Sequence, residues 1–230
     1  GAGSGSATII GLNVGAGTTT TVSKNKIYDL STACTGTATV ISGIRVTAGT
    51  TTNIHNNYIG QGNALTGVNN ASDAVRGINI TSATASSTIN VYYNTIYLNT
   101  SSTGANFGTS ALFHTFNTTA TTAALDMRNN ILVNTSTPSG TGITSAFSRS
   151  ANTNLNNFAT TSNNNLLYTA ATPSATRVIF NQAGTVSQTI ANYLSAVGPT
   201  RESASVTELP PFLSTVGTAA TYLHIDAVTG

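Results

Sequence analysis

The sequence predicts a right-handed parallel β-helix, a solenoid of about five to six coils with one short C-terminal helix. Three observations predict it. An apolar-x-x-Asn-x-apolar motif returns at a nearly constant interval, a second strand-like pattern returns ahead of it at the same interval, and the gaps between are too short and too rich in Gly, Thr and Asn for helices. A steady period in this range means stacked units, none of which can bury its apolar face alone.

The motif runs Val22-Ser23-Lys24-Asn25-Lys26-Ile27, Ile54-His55-Asn56-Asn57-Tyr58-Ile59, Val91-Tyr92-Tyr93-Asn94-Thr95-Ile96 and Met127-Arg128-Asn129-Asn130-Ile131-Leu132. A fifth copy, Ser162-Asn163-Asn164-Asn165-Leu166-Leu167, has lost its first apolar position. Asn25, Asn57, Asn94, Asn130 and Asn165 are therefore 32, 37, 36 and 35 residues apart. In stacked coils equivalent residues lie above one another, so the five asparagines form a structural ladder that passes amide hydrogen bonds from coil to coil and relieves backbone groups at a bend. The larger stabilising contribution comes from the apolar stack of Val22, Ile54, Val91 and Met127 with Ile27, Ile59, Ile96, Leu132 and Leu167, each residue contributing about 1.5–3 kcal/mol when buried.

The companion strand pattern precedes each motif: Ile9 to Val14, Ile41 to Val46, Val75 to Ile80 and Ser110 to Phe116. Gly11, Gly43, Gly77 and Ala111 mark the same place in it, and two strands per unit is the minimum. A sandwich of hairpins would want Asn-Gly or Asp-Gly turns, and neither dipeptide occurs. Residues 1–6, Gly-Ala-Gly-Ser-Gly-Ser, read as a flexible lead-in, residues 7–182 as the coils, and residues 183–230 as an atypical cap. In that cap Ile190, Tyr193, Leu194 and Val197 have helical spacing, giving a helix near 189–197 that Gly198-Pro199 stops.

Only 6% of residues are charged and the net charge is +2, which excludes a nucleic-acid stripe. Abundant Thr, Ser and Asn instead give an uncharged wet surface, as suits a secreted protein at the cell surface. No run of eighteen apolar residues is present to span a membrane. Cys34 stands alone, so no disulfide forms within the chain. With no initiator Met, the sequence reads as a mature or excised piece of something longer.

Glycan lyases and hydrolases on β-helices need clustered carboxylates. Asp29, Asp73, Asp126, Glu202, Glu208 and Asp226 are scattered, and His55, His114 and His224 fall at three different points of the repeat. The expectation is a non-catalytic chain with no metal or cofactor site.

Taken in order, Tyr92 to Asn99, Ser101 to Phe107, Arg128 to Asn134, Arg201-Glu202-Ser203-Ala204-Ser205 and Tyr222-Leu223-His224-Ile225 resemble the parallel β-helix region of very large secreted surface proteins of Bacteroidota. The resemblance covers nearly the whole chain. It implies type IX secretion and a rod-like architecture more than any activity, since most such proteins have none established.

The functional expectation is an extracellular structural rod, a cell-surface or fibre subunit. An uncapped coil edge near Ala7 recruits copies of the chain head-to-tail, or adjacent repeats of a longer chain. Two other readings stand beside it. One is a β-helix that binds or degrades surface glycans, with Tyr28, Tyr58, Tyr92, Tyr93 and Tyr97 as stacking platforms. The other is an ice-binding array of Thr19, Thr21, Thr50, Thr52, Ser86, Thr88, Thr119, Thr121 and Thr122.

Overall fold

The computed structural model describes residues 3–152 and 154–228. It is a β-solenoid of about five turns built from stacked parallel sheets. The first coil contains β1 (Thr8–Val14), β2 (Thr19–Ser23) and β3 (Lys26–Tyr28), and the second contains β4 (Val40–Val46), β5 (Thr51–His55) and β6 (Tyr58–Gln61). The third has β7 (Asn70–Ile80), β8 (Thr88–Tyr92) and β9 (Thr95–Leu98), and the fourth β10 (Phe107–His114), β11 (Ala124–Arg128) and β12 (Ile131–Asn134). The fifth keeps β13 (Thr144–Arg149) and β14 (Leu166–Tyr168), then β15 (Arg177–Gln182) and β16 (Thr185–Ser187) form an antiparallel hairpin.

Three sheets result. Sheet A runs β1-β4-β7-β10-β13-β15-β16, sheet B runs β2-β5-β8-β11, and sheet C runs β3-β6-β9-β12-β14. A complete coil thus has three strands, because the asparagine motif itself bends and is divided between sheets B and C. The bend sits at Lys24, Asn56, Tyr93, Asn129 and Asn164, whose φ values of 58°, 54°, 55°, 54° and 58° are left-handed. Asn accepts that conformation better than most residues. The left-handed residue is the one before each ladder asparagine, which leaves the ladder side chain aimed inward.

Inward rows stack in register. Leu12, Ile44, Ile78, Leu112, Phe147 and Phe180 line sheet A. Val22, Ile54, Val91 and Met127 line sheet B, and Ile27, Ile59, Ile96, Leu132 and Leu167 line sheet C. All of the sheet B and C residues are buried except Ile27, which is half-buried in the first coil. Strand β13 escaped the periodicity reading because Phe147 is its one large apolar residue, although all six of its residues are buried.

A further row of small residues lies between the first two inward rows of sheet A. A Cβ on Gly11, Gly43 or Gly77 would fall 2.8, 2.5 or 2.5 Å from the Cγ2 of Ile27, Ile59 or Ile96. In the fourth and fifth coils the row becomes Ala111 and Ala146, and the sheet C partner changes from Ile to Leu132 and Leu167.

The C-terminal end is closed. Helix α1 (Ile190–Val197) starts at Thr189, whose hydroxyl accepts the Asn192 N–H. It buries Tyr193 against Phe180, ring centres 5.2 Å apart, and against Phe147, 6.4 Å apart. From Val206, which bridges to Leu166, the chain turns back along the outside of sheet C. Phe212 packs on Tyr97, Tyr222 on Tyr28 and His224 on Tyr58, at 5.5, 5.9 and 5.6 Å between centroids. Lys26 Nζ donates to the Ala219 carbonyl at 2.7 Å. Tyr28, Tyr58 and Tyr97 are therefore covered by this returning segment. At the other end, the carbonyls of Gly3 and Gly5 and the Ser6 hydroxyl accept from the N–H groups of Thr35, Gly36 and Ala38. This part of the lead-in is laid onto the second coil rather than hanging free.

Candidate functional site

The five asparagines come together in one column. The Asn57 Oδ1 accepts from both N–H and Nδ2 of Asn25, at 3.0 and 2.9 Å, and the same pair of bonds links Asn57 to Asn94, Asn94 to Asn130 and Asn130 to Asn165. Each Nδ2 from Asn57 onward also donates to the carbonyl of the next-to-last residue of the sheet B strand one coil earlier, Val22, Ile54, Val91 and Met127 in turn. The column thus satisfies carbonyls that the bend would otherwise orphan in the interior. In the fifth coil, Ser162 replaces the missing apolar residue and its hydroxyl accepts the Met127 N–H at 3.0 Å.

The amide-to-amide bonds have a direction, since each Nδ2 from Asn25 to Asn130 donates to the Oδ1 one coil nearer the C-terminal end. There the column meets a carboxylate: Asn165 Nδ2 donates to both Glu202 oxygens at 3.1 Å, the Ser205 hydroxyl donates to Glu202 Oε2, and Ser205 Oγ accepts the Asn165 N–H. Glu202 is fully buried, and burial pushes its carboxyl up to about 7 against the hydrogen bonds from Ser205 and Asn165. It lies 37 residues after Asn165, one further repeat, so its spacing was a usable signal. At the opposite end no described residue donates to the Asn25 side-chain oxygen, and β1, β2 and β3 each pair on one side only.

The second feature is a cleft of about 410 Å³ over the outer face of sheet A. Its walls are the start of β7, from Ala71 to Asp73, the residues Thr141 and Ile143, and the β15–β16 turn at Ala183 and Gly184. A register irregularity early in β7, where the pairing with β10 passes from Asn70–Phe107 to Val75–Thr109, carries Asp73 to this place. Asp73 is 4% exposed in a left-handed conformation, φ 60°. Burial raises its carboxyl, offset in part by the Arg76 charge and the Ser148 hydroxyl. Arg76 lies flat on Phe113, 3.6 Å from the ring centre, with Nη1 on Asn79 Oδ1 and Nη2 on the Ser72 carbonyl. Its Nε is buried with no partner.

The other candidates stay apart. Asp126 is held by Arg128 and by the Tyr92 hydroxyl. His114 is buried on the Ala123 carbonyl, whereas His55 touches Asn56 and His224 faces Tyr58. Among the described residues no three His, Cys, Asp or Glu side chains converge to hold a metal. Cys34 is a half-buried free thiol. The threonines make no single flat face: Thr52 and Thr122 are buried, and the outward row that starts at Thr21 continues as Asn53, Asn90 and Asp126. Among the described residues no helix is long and apolar enough to cross a membrane. No family model, curated protein or solved structure matches the chain.

Proposed function

We propose that the chain is a non-catalytic structural element outside the cell, the terminal section of a β-solenoid rod that extends from its N-terminal face alone. The observation that carries this reading is the unlike chemistry of the two ends. Glu202 ends the amide column, and α1 lies over the last coil. At the first coil the Asn25 oxygen and three strand edges remain able to accept another coil. Polarity selects the occupant. A copy meeting this face N-terminus to N-terminus would set two Asn25 oxygens against each other, and a copy meeting it head-to-tail would bring a carboxylate and a helix. A coil of the same asparagine type, stacked with the same direction, brings the Nδ2 donor that fits, so adjacent repeats of a longer chain suit this face better than copies of the same chain.

The uncharged Thr-, Ser- and Asn-rich surface supports an extracellular setting. Against catalysis, Asp73 is the one carboxylate lining the cleft, where glycoside hydrolysis asks for a pair. The test is a fusion that places a second copy of residues 8–39 ahead of the first coil. The expected result is a higher Tm and new hydrogen-exchange protection in β1–β3, with short single rods in electron micrographs of both proteins. Unchanged protection, or continuous filaments of the parent chain, would overturn the reading.

A further inference from the structure

We propose that the cleft over sheet A is a binding site for a neutral saccharide, one or two sugar rings of a glycan. This goes beyond the rod reading and is independent of it, since it rests on the flank and not on the ends.

The cleft has the size of ordinary small-ligand sites, and its chemistry is mixed in the way a sugar needs. Asp73 offers a carboxylate that accepts from hydroxyls. Arg76 is half-buried and held in position by Asn79, Ser72 and the face of Phe113, and Nη1 and Nη2, each bonded once, keep a second N–H to donate. Asn181 spends its Oδ1 on the Gly184 N–H at 3.0 Å, which fixes the amide and leaves Nδ2 without a partner among the described residues. Phe113 and Ile143 supply apolar surface for C–H groups.

Charge decides the class of ligand. Asp73 and Arg76 act on each other, and burial shifts each toward its neutral form. An amine drawn to Asp73 would meet the Arg76 charge beside it, and an anion drawn to Arg76 would meet the Asp73 charge. A hydroxyl donates to one and accepts from the other, so it uses both without separating them. The walls are also built at conformational cost, with Asp73 at φ 60° and Ala183 at φ 48°. Such backbone persists where the surroundings over-determine it and concentrates at binding sites.

The experiment is saturation-transfer NMR on the whole chain with glucose, galactose, mannose, N-acetylglucosamine, rhamnose and their disaccharides. Glycine, ethanolamine and acetate serve as charged comparisons. The expected result is saturation of at least one sugar and of none of the charged probes. Binding should weaken at least about tenfold in Asp73→Asn and in Asn181→Ala, the loss of one good hydrogen bond to a charged or buried group. Asn181→Ala gives up only the exposed bond from the Gly184 N–H, about 1 kcal/mol, so this variant should stay folded and remain informative if Asp73→Asn unfolds. Absence of any sugar signal, a preference for the charged probes, or sugar binding untouched by Asn181→Ala would each overturn the proposal.

Discussion

The Cγ2 methyl of Ile96 stands 2.5 Å from where a Cβ on Gly77 would lie, so the two residues share one volume across the solenoid interior. The same exchange is written along the chain, with Gly opposite Ile in three coils and Ala with Leu in the next two. Leu moves its branch one carbon outward and vacates the place that the alanine methyl takes. A Cβ on Gly77 would also lie 2.5 Å from the Ala111 carbonyl oxygen, so Gly77→Ala should cost about 1–3 kcal/mol by overpacking, only part of it against Ile96. Adding Ile96→Leu should return at least about 0.5 kcal/mol of that, a coupling read by a double-mutant cycle in urea. Additive losses would contradict the shared volume.

Interior and end positions of the amide column should differ in cost. Asn94 gives bonds to Asn130 Oδ1 and the Ile54 carbonyl and receives two from Asn57. Asn94→Ala strands these groups away from water and should cost about 3–5 kcal/mol, at about 1–3 kcal/mol for each buried group left unpaired. Asn25 is half-buried and receives nothing from a described residue, so Asn25→Ala should cost about 1 kcal/mol. Chemical denaturation of the two variants measures the difference.

Two buried groups should give stability opposite pH dependences. Glu202 has a folded value of about 7 against an ordinary 4.5, so the native state holds its proton more tightly and stability falls as pH rises from 4.5 to 7. Asp73 adds in the same sense. His114 is lowered by burial and by the Arg149 charge to about 3 from 6.5, so its contribution is full above pH 6.5 and is lost as pH falls toward 3. Between pH 4.5 and 6.5 the rising contribution of His114 opposes the falling contribution of Glu202. Glu202→Gln keeps an oxygen for Asn165 and removes the titration. Its stability relative to the parent's should rise with pH across that window and reach its largest margin above pH 7, a difference of about 3 kcal/mol for a shift of this size. A Glu202→Gln profile parallel to the parent's would refute the assignment.

The returning segment depends on a missing side chain. A Cβ on Gly60 would lie 1.8 Å from the Tyr222 hydroxyl oxygen. Gly60→Ala should lift Tyr222 off sheet C, cost about 1–3 kcal/mol and open the segment to chymotrypsin near Phe212 and Tyr222. Tyr222→Phe in the same chain should restore part of the protection, because it removes the 1.8 Å contact and leaves the ring carbon at 3.1 Å and the Tyr97 carbonyl oxygen at 3.0 Å, both close but able to give by a few tenths of an ångström.

Much of the fold was legible because stacking repeats the same demand at each coil. Val22, Ile54, Val91 and Met127 hold one environment, and so do Asn25 to Asn165, so pattern alone locates them. The helix was legible from Thr189 and the spacing of Tyr193 and Val197. What periodicity missed was chemistry that occurs once. Asp73 and Arg76 lie together because β7 departs from regular register between Asn70 and Val75, and Glu202 ends the column by replacing an asparagine one repeat on. The tyrosines of sheet C looked available because their cover, Phe212 to His224, comes from about 115 residues or more further along the chain, beyond the reach of local pattern.

That cover reaches from the last coil to the first, and Lys26 meets Ala219 across 193 positions of sequence. A plain solenoid is a one-dimensional array in which each repeat senses only its neighbours, so it can fray from an end or melt in sections. A strap joining the two ends makes loss of the first coil also a loss for the segment that leaves the last. The array then behaves as a closed circuit, and its unfolding should approach a single all-or-none transition, with a sharper melt than a strapless rod of equal length.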